Sequence, residues 1–548
     1  MKTILNPIKP YSKLLGKQRH KVDASYRLMN FVVQTPVKEG LLLLHTMTKE
    51  MLLLSPEEQQ VFENNPIDLP ELIDKWYLVP TEHDDRKLSR QLRRVAQIAS
   101  QPHKGITGYT IMTTSDCNAH CFYCYELGQS RIPMSEDTAR QTAQFIINHC
   151  EHKPVNIEWF GGEPLFNKPV ITLICNLLKE AGVKYSSTMI TNGYLMDDET
   201  LKEAKDLWNL KRVQITIDGT EQTYNRVKAF IYKGVNAYER VMNNIEGLLK
   251  AKINVTIRMN IDMHNAEDLE KVADYLHERF GKSKLLTPYV HTLFEDERIK
   301  VAVLQDEKRK VVLAQRRLIH DKLQKWGMYN PNAFDAFIKT GNCMADSENH
   351  LVVQPDGHFT KCEHYTDSHH VGHVSQENFD EEMLAYFKAE APEPQEACAT
   401  CAKYPMCYFL NACPNVNECY PEMPNDYVHE MQQQMQMIYT RFLKPKKKAK
   451  NVETKEKKKT KPKKFGVLSS KIEVVPLAKH YVVAFKDPTT LHINKVMKLN
   501  ALGVDILEGF VDERPPHELA SELAKRYEAN LEGILHEVNN FYADLKAM

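Results

Sequence analysis

Between residues 106 and 295 apolar runs alternate with helical stretches, and this alternation constrains the fold more than any other feature of the chain. The runs are YTIMTT (109–114), VNIEWFG (155–161), YSSTMIT (185–191), RVQITID (212–218), INVTIRMN (253–260) and LLTPYVHTL (285–293). Between the first two, SEDTARQTAQFIINHC sets Ala139, Ala143, Ile146 and Ile147 on one helical face. Strands joined through helices run parallel and sit side by side. The segment is therefore α/β, with six strand–helix units that suit a partial (β/α) barrel. An open sheet fits the same periodicity.

The flanks differ. At about 100–200 residues per domain, 548 residues make three to five domains. Residues 1–105 open with YRLMNFVVQTP and GLLLLHTMT, two strands around a Lys38-Glu39-Gly40 turn. SPEEQQVFEN then starts a helix, with Ser55 as cap and Pro56 at its first position. Residues 106–320 hold the alternating units and 321–440 a cysteine-rich, loop-rich region. Residues 444–464 carry twelve lysines and two glutamates, so a self-repelling linker is expected over 441–466. Residues 467–548 form a small α+β unit, winged-helix-like in pattern. HYVVAF and TTLHIN are its strands, and PPHELASELAKRY and LEGILHEVNNFYADL its amphipathic helices.

Net charge is +0, which implies no global pull toward nucleic acid or membrane. The amino terminus has no long apolar stretch of the secretory kind, and no run approaches the ~18 residues of a membrane span. A cytoplasmic protein is expected. Ten of the 12 cysteines sit in two clusters, which in a reducing compartment favours metal ligands over disulfides. Cys150 and Cys175 stand alone on helices, as small buried hydrophobes.

The first cluster is SDCNAHCFYCYELG (115–128), with Cys117, Cys121 and Cys124 spaced C-x3-C-x2-C just after the first strand. Structural zinc usually takes four ligands. Three thiolates can hold three irons of a [4Fe–4S] cube and leave the fourth open. WFGGEPL (159–165) follows the second strand, TNGYLM (191–196) the third and TIDGT (216–220) the fourth, and the fifth ends in IRMN. Together these motifs, with the aromatic Tyr123 before the last cysteine, resemble the radical S-adenosylmethionine (SAM) superfamily. A zinc knuckle beside unrelated glycine turns is the alternative, but it does not predict GGEP after the next strand.

The resemblance implies a cluster that binds SAM at its open iron, a one-electron donor such as flavodoxin or ferredoxin, and a 5′-deoxyadenosyl radical that takes hydrogen from a substrate. It places Gly161 and Gly162 where backbone approaches closely, and Glu163 at the SAM ammonium. Asn192, Thr216, Asp218, Arg226 and Arg258 are then expected around the SAM carboxylate, ribose and adenine.

The second cluster runs from CMADSENHLVVQPDGHFTKC to CATCAKYPMCYFLNACPNVNEC. It resembles the SPASM extension of radical SAM enzymes, which implies two auxiliary [4Fe–4S] clusters. Carried over, the pattern gives Cys343, Cys362 and Cys413 to the nearer cluster and Cys398, Cys401, Cys407 and Cys419 to the farther. Five residues separate Cys407 from Cys413 where the family has three, which leaves Cys413 and Cys419 interchangeable; two zinc sites are the alternative. Glu363 and Asp356 are candidate proton acceptors, or else surface carboxylates in a loop. His364, His369, His370 and His373 are expected as loop histidines.

Residues 471–548 hold 9 Lys+Arg and 12 Asp+Glu, the wrong sign for a phosphate-contacting surface. The stretch LNALGVDILEGFVDERPPHELASELAKRY is similar to PqqD-like recognition elements, in which a leader peptide adds a strand to a sheet edge. A tether raises the local concentration of the attached core peptide. The N-terminal hairpin is either a second such element or a cap on the barrel. The reading is a maturase that installs a cross-link (thioether, carbon–carbon or carbon–oxygen) or an epimerised residue in a ribosomal precursor peptide, with no nucleic-acid or membrane partner. An anaerobic sulfatase-maturase-like enzyme is the alternative. An iron–sulfur or zinc regulator that binds nucleic acid is the alternative from another class.

Overall fold

A computed structural model of the chain describes residues 1–7, 12, 15–18, 20, 24–100, 105–126, 128, 130–293, 306–328, 344–365, 368–376, 378–388, 396–407, 423–443, 467–469, 472–477, 480–486, 493–527 and 529–546. Cys343, Cys413, Cys419 and the lysine-rich segment 444–464 lie outside these residues.

The N-terminal region contains β1 (Lys2–Leu5), β2 (Tyr26–Leu28), β3 (Val32–Val37), β4 (Gly40–His45), β5 (Met51–Leu54) and β6 (Leu78–Pro80). Four of them form an antiparallel sheet in the order β1-β5-β4-β3, and β2 pairs with β6. The hairpin turns at Lys38-Glu39, since Val37 faces Gly40. The helix Pro56–Asn64 opens on a capping box between Ser55 and Glu58.

The run LLLL in β4 is buried throughout because side chains alternate between two covered faces. Leu41 and Leu43 enter one core with Phe31 and Tyr404. Leu42 and Leu44 enter another with Ala402 and with Met431, Met435 and Tyr439 of the helix Met423–Leu443. The region thus packs on the cysteine-rich segment.

The central sheet contains β7 (Gly108–Met112), β8 (Val155–Phe160), β9 (Tyr185–Thr191), β10 (Leu210–Thr216), β11 (Asn254–Ile261) and β12 (Leu286–Thr292). These are the six runs expected from the sequence. They lie in chain order and every neighbouring pair is parallel. Strands that never reverse their order are singly wound, and right-handed crossovers then put all their helices on one face. Ile157 and Trp159 of β8 face that helical layer, while Glu158 and Phe160 alternate to the other side and are only half-buried. One mostly apolar core joins the sheet to the helices Glu136–His149, Lys168–Glu180, Ala237–Lys250 and Ala266–Phe280, and Cys150 and Cys175 are buried in it.

Three further strands extend the sheet past β7. They are β13 (His350–Val353), parallel to β7, and then β14 (His358–Thr360) and β15 (Gly372–His373), both antiparallel. The cysteine-rich region therefore shares the sheet of the alternating units, giving nine strands of mixed direction.

The C-terminal unit is a four-stranded antiparallel sheet of β16 (Val467–Ser469), β17 (Ile472–Leu477), β18 (His480–Lys486) and β19 (Ile493–Leu499), in that order. Three helices follow, Ala501–Val511, Pro516–Arg526 and Leu531–Lys546. Of the run TTLHIN, residues 489–492 lie outside the described residues; the described strand starts at Ile493 and continues through KVMKL, which pairs with β18. The helix Asp85–Ser100 touches both the Tyr404–Met406 turn and strands β18 and β19.

Candidate active site

The C-x3-C-x2-C loop leaves the carboxyl end of β7 and is anchored at its base. Ser115 donates its N–H to Ile132 O at 3.0 Å and its hydroxyl to Ser130 O at 2.7 Å. The Asp116 N–H donates to Thr114 Oγ1 at 2.9 Å, and Asp116 Oδ1 accepts from Cys117 N at 2.8 Å. The GGE segment after β8 locks onto the same base. Gly162 N donates to Thr114 O and Glu163 N to Asp116 O, both at 2.9 Å. A Cβ on Gly161, whose φ is +122°, would lie 2.2 Å from Thr114 O, and one on Gly162 would lie 2.4 Å from Asp116 O. The two glycines therefore let the cysteine loop's backbone come close.

Glu163 is fully buried. Its Oε1 accepts from Thr191 Oγ1 at 2.7 Å and Leu165 N at 3.1 Å, and its Oε2 accepts from Asn192 N at 2.8 Å. Burial pushes its carboxyl up to about 7 against those bonds. Both of its oxygens thus brace the ends of β8 and β9. Asn192 turns toward the cysteines, with Nδ2 donating to Asn118 Oδ1 at 2.6 Å and lying 3.9 Å from Cys117 Sγ.

On the other flank a buried cation joins the loop to β10. Lys228 Nζ lies 2.9 Å from Asp218 Oδ2 and donates to Tyr123 Oη at 2.8 Å, and Tyr123 donates to the same Asp218 oxygen. Burial opposes the lysine's charge, but Asp218, Cys121 and Tyr123 hold it firmly protonated. Asp218 Oδ1 is buried with no partner among the described residues. This carboxylate helps line a cleft of about 490 Å³ with Phe122, Tyr123, Arg226, Asp262 and His264. Thr216 at the end of β10 stands opposite Arg258 in β11, where Arg258 Nε donates to Asn260 Oδ1 at 2.9 Å; they are not among the cleft's lining residues.

The three thiols are close enough to feel one another's charge. Burial pushes Cys117 up to about 12 and Cys124 up to about 11, with neighbouring thiols adding to both, and it raises Cys121 against the pull of Lys228. No disulfide links the described cysteines. Among the described residues no three His, Cys, Asp or Glu side chains converge as ligands of a single ion. A cube instead offers three separate irons to three thiolates. Asn118 Nδ2 is buried near Cys117 and has no acceptor among the described residues, which suits a sulfur-rich group there.

The Cys362–Glu363 turn reaches the same side of the sheet. The ring of Tyr125, just after the cysteine loop, stacks over Phe160 of β8 at 6.4 Å and meets the His364 ring at 4.4 Å. Glu363 is half-buried, its Oε2 is buried with no partner among the described residues, and burial together with the nearby Glu158 raises its carboxyl. Asp356 instead occupies the exposed β13–β14 turn, where it accepts from His358 N at 3.1 Å and pairs with His358 Nδ1 at 2.9 Å. The two carboxylates, both candidate proton acceptors in the sequence, thus occupy unlike places.

Cys398, Cys401 and Cys407 pack against the N-terminal core, and the first and third add to the field at Cys401. Asn30 Nδ2 donates to Ala399 O at 2.8 Å and Thr46 Oγ1 to Ala402 O at 3.0 Å. Sequence reasoning missed Lys228, Asn118, Tyr125, Asn30 and Thr46. Only Tyr125 and Asn118 carried a signal, by adjacency to the cysteines.

Residues 111–276 match the family described as the Radical SAM superfamily. The chain is 25% identical over 273 residues to a probable GTP 3′,8-cyclase of Archaeoglobus fulgidus, covering 47% of this chain and 86% of that protein. It is 20% identical over 356 residues to the serine-type anaerobic sulfatase-maturating enzyme of Klebsiella aerogenes, covering 59% and 85%. With the sporulation killing factor maturation protein SkfB of Bacillus subtilis it shares 27% identity over 165 residues, 30% of this chain and 38% of that one. Among solved structures, native anSMEcpe with bound AdoMet superposes with a TM-score of 0.47 at 18% identity, over 61% of this chain and 98% of that one. Streptococcus suis SuiB bound to precursor peptide SuiA gives 0.42 at 13% identity, over 70% and 95%.

Proposed function

We propose, from the premise that residues 111–276 are a radical SAM catalytic domain, that this enzyme modifies a ribosomally made precursor peptide. The observation that carries the reading is the convergence of the cysteine loop and the Cys362–Glu363 turn on one side of one sheet, through Tyr125, Phe160 and His364. A radical made at the loop then acts beside a half-buried carboxyl. Two of the relatives above are named as maturation enzymes, which fits a peptide or protein substrate.

Cys117, Cys121 and Cys124 hold a [4Fe–4S] cluster in this reading. That cluster with SAM supplies the oxidant that takes a hydrogen atom from the substrate. The chain's own residues do the rest. Gly161 and Gly162 seat the loop against β8, and Glu163 and Asn192 brace it from β9. Asp218 Oδ1 offers an acceptor in the cleft for a hydroxyl of the SAM ribose, and Arg226 a cation at its rim. Glu363 holds or accepts the substrate proton. Its Oε2 has no partner among the described residues and burial raises its carboxyl, which favours the protonated form and suits a group that exchanges a proton with the substrate.

The partial barrel is the singly wound half of the central sheet, and the auxiliary clusters belong to the cysteine-rich region. The C-terminal unit is read as the PqqD-like element. Its strand β19 has β18 on one side and no strand on the other among the described residues, an edge on which a leader strand would add. A second reading, oxidation of a side chain in a protein substrate as in sulfatase maturation, is favoured by the position of Glu363 directly after Cys362.

The test is anaerobic reduction of the iron-loaded full chain with SAM. It should release 5′-deoxyadenosine, and Cys121→Ala should not. Co-expression with a precursor encoded beside the gene, followed by mass spectrometry, separates the readings. A two-hydrogen loss marks either a cross-link or oxidation of a serine side chain to an aldehyde, which labelling with a carbonyl-reactive hydrazide distinguishes, and an unchanged mass marks an epimerisation or no reaction, which chiral amino-acid analysis of the hydrolysate distinguishes. Glu363→Gln should lose peptide product while still cleaving SAM. Full product yield from that variant would remove the proton role.

A further inference from the structure

The N-terminal region holds the Cys398–Cys407 segment in a way that reaches the sulfur of one cysteine. Thr46 is fully buried, and its hydroxyl donates to the carbonyl of Ala402 at 3.0 Å. That carbonyl shares a peptide unit with the N–H of Lys403. No cis peptide occurs among the described residues, and in a trans unit the C=O and N–H point in opposite directions. Holding the carbonyl on Thr46 therefore aims the Lys403 N–H the other way, on the side of the Cys401 thiol, which burial raises and that N–H pulls down.

Thr46 is itself fixed from two sides. Its N–H donates to Phe31 O at 2.8 Å, and the Phe31 ring stacks on Tyr404 at 5.9 Å and 5°. Asn30 does similar work one step earlier, at Ala399 O. It is held in turn by Asp85 Oδ2, which accepts from Asn30 N at 2.8 Å and pairs with Arg27 at 2.9 Å. In each case the carbonyl held belongs to the residue directly after a cysteine, Ala399 after Cys398 and Ala402 after Cys401.

We propose that Thr46 is a positioning residue for an iron–sulfur cluster at Cys398, Cys401 and Cys407, and that it sets the cluster's reduction potential by aiming the Lys403 N–H at the Cys401 sulfur. The inference rests on the auxiliary-cluster reading above. A hydrogen bond to a ligating sulfur stabilises the more negative, reduced state, so it raises the potential. A threonine that only satisfied a buried carbonyl would affect stability and leave the potential alone.

The experiment uses the full chain carrying Cys117→Ala, Cys121→Ala and Cys124→Ala, which silences the first site, loaded anaerobically with iron and sulfide. Midpoint potentials are read by EPR-monitored redox titration. Thr46→Val removes the donor at nearly constant size, and one signal should move to lower potential. Thr46→Ser keeps the donor and should leave it at the native value. If Thr46→Val does not accumulate as folded protein, Thr46→Cys, a weaker donor, should move the same signal the same way by less. A native potential in the folded donor-weakened variant overturns the proposal. Cys401→Ala in the same background should lose one cluster's iron. An unchanged iron count would overturn the cluster reading itself, and the role of Thr46 with it.

Discussion

The Cys117–Cys124 loop and the Cys398–Cys407 segment each offer three thiols, but they are supported in opposite ways. The first is braced from its own sheet, by Gly162 and Glu163 after β8, Asn192 after β9 and the buried Lys228 beside Asp218 after β10. The second is held by side chains more than 350 positions away, Asn30 at Ala399 and Thr46 at Ala402. A site supported by neighbouring strand ends forms when its sheet forms. A site supported from a distant region forms only when two parts of the chain meet, and it can report on whether they have. If that contrast holds, damage to one triplet's supports should leave the other intact.

The sharpest break is Gly162→Ala. The new Cβ would meet the Asp116 backbone at 2.4 and 2.7 Å, where no flexible side chain can give way. The loop base must move by about an ångström, which for a positioned reactive group costs on the order of 100-fold in rate. Release of 5′-deoxyadenosine should fall by at least that factor, while iron at the second triplet stays. Equal loss of iron from both would show that the triplets are not independent.

Lys228→Met comes next. It leaves the Asp218 carboxylate buried without its cation, a change that costs about 3–5 kcal/mol when one partner of a buried pair is removed. Denaturant unfolding followed in the central sheet should show that loss, and Asp218→Asn added to Lys228→Met should recover much of it. A double variant as weak as the single would show that the lysine acts by packing alone.

The same contrast explains what could be read from the sequence. The six parallel strands were legible because each is a short apolar run closed by a helix. The GGE motif was legible because two adjacent glycines after a strand need a close neighbour. What they approach was not: the neighbour is the cysteine loop's own backbone at Thr114 and Asp116. Glu163 is expected at a ligand from its motif, and what the motif does not show is that each of its oxygens also accepts hydrogen bonds within the chain. Lys228 lies in an ordinary polar helix, and nothing in YNRVKAF marks it as the fully buried member of a charge pair. Asn30 and Thr46 were out of reach for a different reason. Their partners are backbone carbonyls, which leave no trace in residue identity. The LLLL run of β4 did carry one overlooked signal, since a strand apolar on both faces needs a cover on each, and the second cover is the cysteine-rich region with its helix.

Glu163 also gives the first triplet a pH signature opposite in sign to the one that the buried His45, held down at about 4, gives the N-terminal core beside the second. Its carboxyl stands at about 7 in the folded chain, against the ordinary value of 4.5. The folded state therefore keeps a proton that the unfolded state gives up above 4.5. Local stability is greatest below that value, falls as pH rises toward about 7 and is level beyond it, by roughly 3 kcal/mol at most. Hydrogen exchange of the β8 and β9 amides in the metal-free chain should show this fall. Glu163→Gln should flatten it, while protection around Phe31 and Tyr404 should move the other way, rising with pH from about 4 to 6.5, because burial holds His45, next to Thr46, down at about 4. A slope that survives in Glu163→Gln would assign the titration to another group.

The smallest expected effect falls on the second triplet. Asn30→Ala removes one neutral hydrogen bond, to Ala399 O, worth about 1 kcal/mol. That is too little to unfold either region, because Phe31, Tyr404 and the leucines of β4 still pack there. It should nevertheless loosen the peptide after Cys398, so iron at this triplet should be lost to a chelator about five-fold faster, the rate equivalent of 1 kcal/mol. Iron at Cys117–Cys124 should leave at its native rate. Unequal rates are what remote support predicts, because the lost bond joins two regions and none of the first triplet's bonds passes through it. Equal acceleration at both triplets would mean that the N-terminal region stabilises the molecule as a whole, and the contrast between a locally built and a remotely held site would fail.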